Sequence, residues 1–248
     1  MRVYYWSNVN GRDYQQDCFN IFMNLDHNNE AIDSNYPPIN AFMIADGHGK
    51  SEKVATEAVK FFTNSFCLTK QKFPLSQKTI EERFSLFHDI LKNSNYAVKS
   101  GSTFIILFLY VTETVKTKKN LKYQAINLGD CRLISFDVSG SYRQITGDHK
   151  FTSFSERIRC ESTTNVLQEG EQNHKVFEIE MDTNIARLDG LSVSRTFGDM
   201  FSLDHRQRIE KNGEESEDEG SDDGYADVEI HEYLNYQPDI FGTETVDS

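Results

Sequence analysis

This sequence reads as compatible with an α+β domain, on three observations. Phe104–Val111 is apolar on both faces, as a central strand buried on both sides would be. Two stretches, starting near Ser51 and Thr79, repeat apolar residues at helical spacing. Between and around them lie short strand-like segments separated by polar turns. At 248 residues, 38% of them hydrophobic, the chain is long enough for one large domain with a substantial core.

The elements follow in chain order. Val3–Trp6 and Cys18–Phe22 read as strands around a polar turn, and Asp26–Asn40 as a loop closed by Pro37 and Pro38. Ala41–Ala45 is a short apolar strand broken by Asp46-Gly47-His48-Gly49. Ser51 can cap a first helix whose Val54, Ala55, Ala58, Val59, Phe62 and Phe66 share one face. Thr79 with Glu82 three residues on forms a capping-box pattern for a second helix, with Ile80, Phe84, Phe87 and Leu91 facing inward. Lys92–Ser102 reads as a polar loop and Lys116–Asn120 as a basic turn. Tyr123–Asn127 and Arg132–Asp137 read as a hairpin around Leu128–Cys131, and Ser139-Gly140 turns into a strand at Tyr142–Ile145. Beyond residue 150 the pattern loosens. Residues 210–227 are expected to be an acidic disordered insertion, because seven of the ten residues in Glu214–Asp223 are acidic and none is apolar.

A formal charge of −13 repels nucleic-acid phosphates and anionic lipid headgroups, so neither is an expected partner, whereas divalent cations are. Cys18, Cys67, Cys131 and Cys160 show neither a disulfide framework nor zinc-ligand spacing, and are expected to be reduced thiols. The N-terminus lacks the long apolar stretch of a signal peptide, and the longest unbroken apolar run, Phe104–Val111, is far too short to span a bilayer. A soluble monomer of the cytoplasm or nucleus is the expectation.

The chemistry centres on Asp46. A carboxylate at a strand end, followed by a turn with an unshielded carbonyl, can give two oxygens to a hard cation, although the same four residues also suit an Asx turn before a helix. Arg12 and Asp17 could be a phosphate clamp and a metal or water ligand, or a surface ion pair. Read in order, the chain carries Arg12–Asp17 (RDYQQD), Asp46–Gly49 (DGHG), Gly101–Thr103 (GST), Asn127–Arg132 (NLGDCR), Thr146–Lys150 (TGDHK), Leu191–Asp199 (LSVSRTFGD) and Pro238–Ile240 (PDI).

This ordered series resembles the PPM, or PP2C-type, family of metal-dependent serine/threonine protein phosphatases. The resemblance runs from about Asn8 to the C-terminus. It implies a four-layer α-β-β-α sandwich with metals in a channel at one end, and phosphoserine or phosphothreonine proteins as substrates. Position by position, Asp46 matches the carboxylate that bridges two Mg²⁺ or Mn²⁺ ions, and the Gly47 carbonyl a ligand of one of them. Asp17 matches a carboxylate holding metal-bound water, and Gln16 stands where many relatives have Glu. Arg12 matches the residue that grips the substrate phosphate, and His48 the general acid for the leaving hydroxyl. Asp148 matches a carboxylate near that histidine and a third, looser ion. Arg195 and Asp199 fall in a motif whose role is taken as largely structural. The implied reaction is hydrolysis by a metal-activated water with no phosphoenzyme.

The chain departs from the family at Cys131, where Ser is usual, and after Ile240, where relatives continue to a second Asp-Gly and an Asp-Asn that bind metal. A single domain over 1–248, incomplete at its C-terminus, is therefore expected. The alternative function is a pseudophosphatase or scaffold without turnover.

Overall fold

Five antiparallel strands build the main sheet, and β5 runs through its centre. The sheet order is β1 (Cys18–Met23), β2 (Ile39–Ala45), β5 (Phe104–Thr112), β6 (Asn120–Leu128) and β12 (Asp239–Thr245). The structure is a computed structural model and describes residues 3–4, 7–8, 14–23, 39–112, 120–164, 178–180, 185–187, 191–200 and 236–245. Arg12 and the 210–227 segment lie outside the described residues.

Side chains alternate across the main sheet with the two-residue period of a strand. One face carries Ala41, Met43 and Ala45 of β2, Phe104, Ile106, Phe108 and Tyr110 of β5, and Ile126 and Leu128 of β6, all buried. Against it pack α1 (Lys53–Phe62) and α2 (Gln77–Lys92), with the same inward residues that the helical spacing predicts. Phe62 is the hub, its ring against those of Phe61, Phe66, Phe84, Phe87, Phe104 and Phe197. Burying one such ring contributes about 1.5–3 kcal/mol, so this cluster is a main source of the fold's stability. The opposite face is more open: Phe19, Met23 and Ile44 on it are partly exposed.

A second, three-stranded sheet, β11 (Phe197–Gly198), β4 (Ser100–Ser102) and β3 (Gly47–Gly49), meets the main sheet at a corner. The chain passes from β2 to β3 through the single residue Asp46, and from β4 to β5 through the single residue Thr103. Strands that bend from one sheet into another form such corners. The two bends are tied together, since Thr103 N–H donates to the Asp46 carbonyl at 3.0 Å and Ser102 Oγ donates to the same oxygen at 3.2 Å. Two hairpins, β7 (Ile134–Phe136) with β8 (Tyr142–Gln144) and β9 (Glu178–Glu180) with β10 (Ile185–Arg187), the helix α3 (Phe154–Thr164) and two short helical turns at Thr63–Cys67 and Asn95–Ala97 complete the described elements.

Several expectations are corrected. Gly47–Gly49 is a strand rather than a turn leading into a helix, and the 92–102 segment contains both a 3₁₀ turn at Asn95–Ala97 and β4. The second helix starts two residues before Thr79, because Ser76 is its N-cap and accepts from Thr79 N–H at 3.1 Å. In the first helix the N-cap position is Glu52, while Ser51 Oγ accepts from Lys53 N–H at 3.2 Å. Tyr123–Asn127 does not form a hairpin with Arg132–Asp137: β6 pairs with β5 and β12, and β7 pairs forward with β8. Helix α3 has no predicted counterpart. Its Phe154 and Ile158 are exposed and its buried Glu156 is held by charge, so no apolar stripe announces it.

Candidate active site at the sheet corner

Asp46 sits where β2 leaves the main sheet, and β1 brings Asp17 beside it through the pairing of Cys18 with Ala45. The Asp17 carboxyl lies near enough to act on that of Asp46. Asp46 is exposed to solvent by surface area yet partly desolvated by the protein around it. That partial desolvation, then the charge and hydrogen bond of Asp17, then the charge of Asp130, push its carboxyl from 3.8 up to about 6, against the opposing influence of His48. Two carboxylates this close cannot both ionise freely, so one shares a proton unless a cation replaces it.

That donor chemistry fits a hard divalent ion, which takes oxygen ligands. The backbone next to it is close-packed: a side chain on Gly47 would collide with the Gln16 carbonyl and crowd Ala55. Gln16 itself is buried and donates to the Gly49 carbonyl at 2.9 Å, clamping the segment before Asp17 onto β3. Among the described residues, no group of three or more His, Cys, Asp or Glu side chains is arranged to hold an ion by side chains alone.

His48 lies on β3, and its Nε2 is 2.7 Å from Asp199 Oδ2. Burial alone would lower its pKa, but the hydrogen bond and charge of Asp199, with the charges of Asp46 and Asp130, raise it above 6.5. The sequence reading takes Asp199 as structural; the corner brings its carboxylate onto the histidine. Only a cross-sheet register could have exposed this, since 151 residues separate the two.

Asp148 has different neighbours. Arg132 grips it with two hydrogen bonds, Nε to Oδ1 at 2.9 Å and NH2 to Oδ2 at 2.6 Å, and Lys150 Nζ lies 3.9 Å away. The Arg132 hydrogen bonds overcome partial desolvation and hold the Asp148 carboxyl below its ordinary 3.8. Lys150 also pairs with Asp130 at 3.0 Å. Asp130 is the second carboxylate the sequence reading passed over, although it lies inside the NLGDCR motif.

A buried ionic network supports this side of the site. Glu156, on α3, is 1% exposed and accepts from Ser194 Oγ at 2.6 Å, from Arg159 at 3.0 Å and from Arg195 at 2.5 Å. Arg195 also donates to Asp239 Oδ1 at 2.9 Å, and His149 Nε2 lies 3.1 Å from Asp239 Oδ2. Gly129 N–H donates to His149 Nδ1 at 2.9 Å, which leaves Nε2 as the ring nitrogen on the Asp239 side. The network thereby joins the Pro-Asp-Ile segment to the turns bearing Asp130 and Asp148.

The Protein phosphatase 2C family model matches residues 9–245. Protein phosphatase 2C 70 of Arabidopsis thaliana is 28% identical over 178 residues, which are 68% of this chain and 26% of the relative. Probable protein phosphatase 2C 27 of Oryza sativa subsp. japonica is 25% identical over 175 residues, 68% of this chain and 45% of the relative. The chain thus spans less than half the length of these curated relatives. A solved phosphatase structure from Toxoplasma gondii superposes with a TM-score of 0.57 at 17% identity, covering 93% of this chain and 68% of that one. A second T. gondii phosphatase gives 0.54 at 13% identity, covering 82% and 58%. At these identities the superpositions speak to the fold alone, a mixed architecture of antiparallel sheets and few helices shared with those phosphatases.

Proposed function

The chain belongs to the protein phosphatase 2C family, and we propose that it hydrolyses phosphoserine and phosphothreonine in proteins with the help of Mg²⁺ or Mn²⁺. The observation that carries this reading is the contact of the Asp17 and Asp46 carboxyls at the sheet corner, with His48 two residues beyond Asp46. Asp17, Asp46 and the Gly47 carbonyl are the groups that would hold the cation. A divalent ion supplies charge neutralisation at the phosphoryl oxygens and acidifies a water.

The chain's own groups do the rest. His48 delivers a proton to the departing seryl or threonyl oxygen as its bond to phosphorus breaks and the bond from the water oxygen forms. Arg12, by its place in the family motif, grips the phosphate as a bidentate donor. Asp148, matched to the ligand of a looser ion, is here already neutralised by Arg132 and Lys150, so a further cation would compete with both. Neither Cys67 nor Cys131 takes part: burial pushes both up to about 12, far from the reactive thiolate range. The same reading has the protein acting as a monomer in the cytoplasm or nucleus.

Phosphate release from a phosphoserine or phosphothreonine peptide with Mn²⁺ tests the reading. Activity should vanish in Asp46→Ala and on chelation. No release by the unaltered chain, or release that survives Asp46→Ala, would overturn it.

A further inference from the structure

We propose that Asp199 is a positioning residue that orients the His48 ring for proton delivery to the departing oxygen, an inference that rests on the phosphatase reading. The small sheet aligns Gly198, Gly101 and His48 in one row across β11, β4 and β3. Gly101, in the middle, carries no side chain. A Cβ there would overlap both Asp199 Oδ2 and His48 Nε2, so glycine opens the lane in which carboxylate and imidazole meet at 2.7 Å.

Asp199 also adopts an uncommon backbone conformation, with φ at 54°, a region that Asp and Asn enter more readily than other side-chain-bearing residues. Its surroundings hold it there. Asp199 N–H donates to the Ser100 carbonyl at 3.0 Å, and Met200 N–H to the Ala97 carbonyl at 3.0 Å. The preceding anchor, Phe197, is fully buried among Phe62, Phe84, Phe87 and Phe104. Glycine would end β11 with less strain, so chain reversal alone does not call for a carboxylate. The carboxylate is used on His48. It commits Nε2 and leaves Nδ1 as the nitrogen for the leaving group.

Leaving-group chemistry separates this role from a merely structural one. A seryl oxygen must be protonated as it departs, whereas p-nitrophenolate leaves without help. Asp199→Asn keeps the shape and tolerates the same φ while removing the charge. With Mn²⁺, it should lower kcat on a phosphoserine peptide by about tenfold to a hundredfold with KM unchanged. The rate on p-nitrophenyl phosphate should stay within about threefold of the unaltered protein. The ¹⁵N resonances of the His48 ring should shift in the same variant, recorded without any substrate. Equal loss on both substrates, an unchanged peptide rate, or unchanged ring resonances would overturn the proposal. Absence of turnover on either substrate by the unaltered protein would sink the phosphatase reading and the proton-delivery role with it, while the ring spectrum would still decide whether Asp199 orients His48.

Discussion

Replacing Glu156 by Gln tests the buried network at its most enclosed point. Burial on its own would raise the Glu156 carboxyl, but the hydrogen bonds from Arg195 and Ser194 and the charges of Arg195 and Arg159 bring it from 4.5 down to about 2. Relative to the unfolded chain, folding therefore favours the ionised form over the neutral one that glutamine imitates by about 3 kcal/mol, at 1.36 kcal/mol per pKa unit. Glutamine also turns an amide donor toward donors already present and leaves Arg195 partly unpaired; losing one partner of a buried pair costs about 3–5 kcal/mol, which agrees in scale. Urea unfolding at pH 7 should show a loss of about 3 kcal/mol with an unchanged m-value. Because the folded pKa is depressed, the stabilisation is fully present above about pH 4.5 and is lost as pH falls toward 2. The gap between the two proteins should therefore close across that window. A difference below about 0.5 kcal/mol at pH 7, or one that does not change with pH, would refute the reasoning.

Three further outcomes are expected. Phe62→Ala, at the aromatic hub, should cost about 3–5 kcal/mol in urea unfolding, as a fully buried ring does when a cavity replaces it. Gly101→Ala should force His48 and Asp199 apart and lower stability by about 1–3 kcal/mol through overpacking; unaltered His48 ring resonances in this variant would contradict the assigned geometry. Asp239→Asn should weaken the hold on His149, read as faster hydrogen exchange at the Gly129 and His149 amides, while the amides in the middle of α1 keep their protection.

The legible parts of the fold were those where periodicity and burial coincide. The inward faces of α1 and α2 appear residue for residue in the spacing of Val54 to Phe62 and Ile80 to Leu91, because each helix packs one stripe on one sheet. β5 announces itself by having no polar face. What failed was set by distant partners. Gly129 adopts φ of 97° in a turn held by His149, which accepts from Gly129 N–H and donates its own N–H to the Gly129 carbonyl. That turn sends β7 away from β6, and nothing near residue 129 in the chain says so. β3 and β4 are three residues each, too short for any period to show. In the site, Asp17, Asp46 and His48 were visible as a motif set, while Asp199 acquires its neighbour only through sheet register and Asp130 only through the turn that His149 holds.

The corner itself has a mechanical consequence. Asp46 and Thr103 are single-residue joints in two continuous strands, so no loop lies between the sheets to absorb a tilt. His48 and Asp199 ride together on one side of this elbow, and the bond from Gln16 to the Gly49 carbonyl ties the residue before Asp17 to that same side. The elbow thus holds proton donor and cation seat at a set separation instead of letting them drift apart.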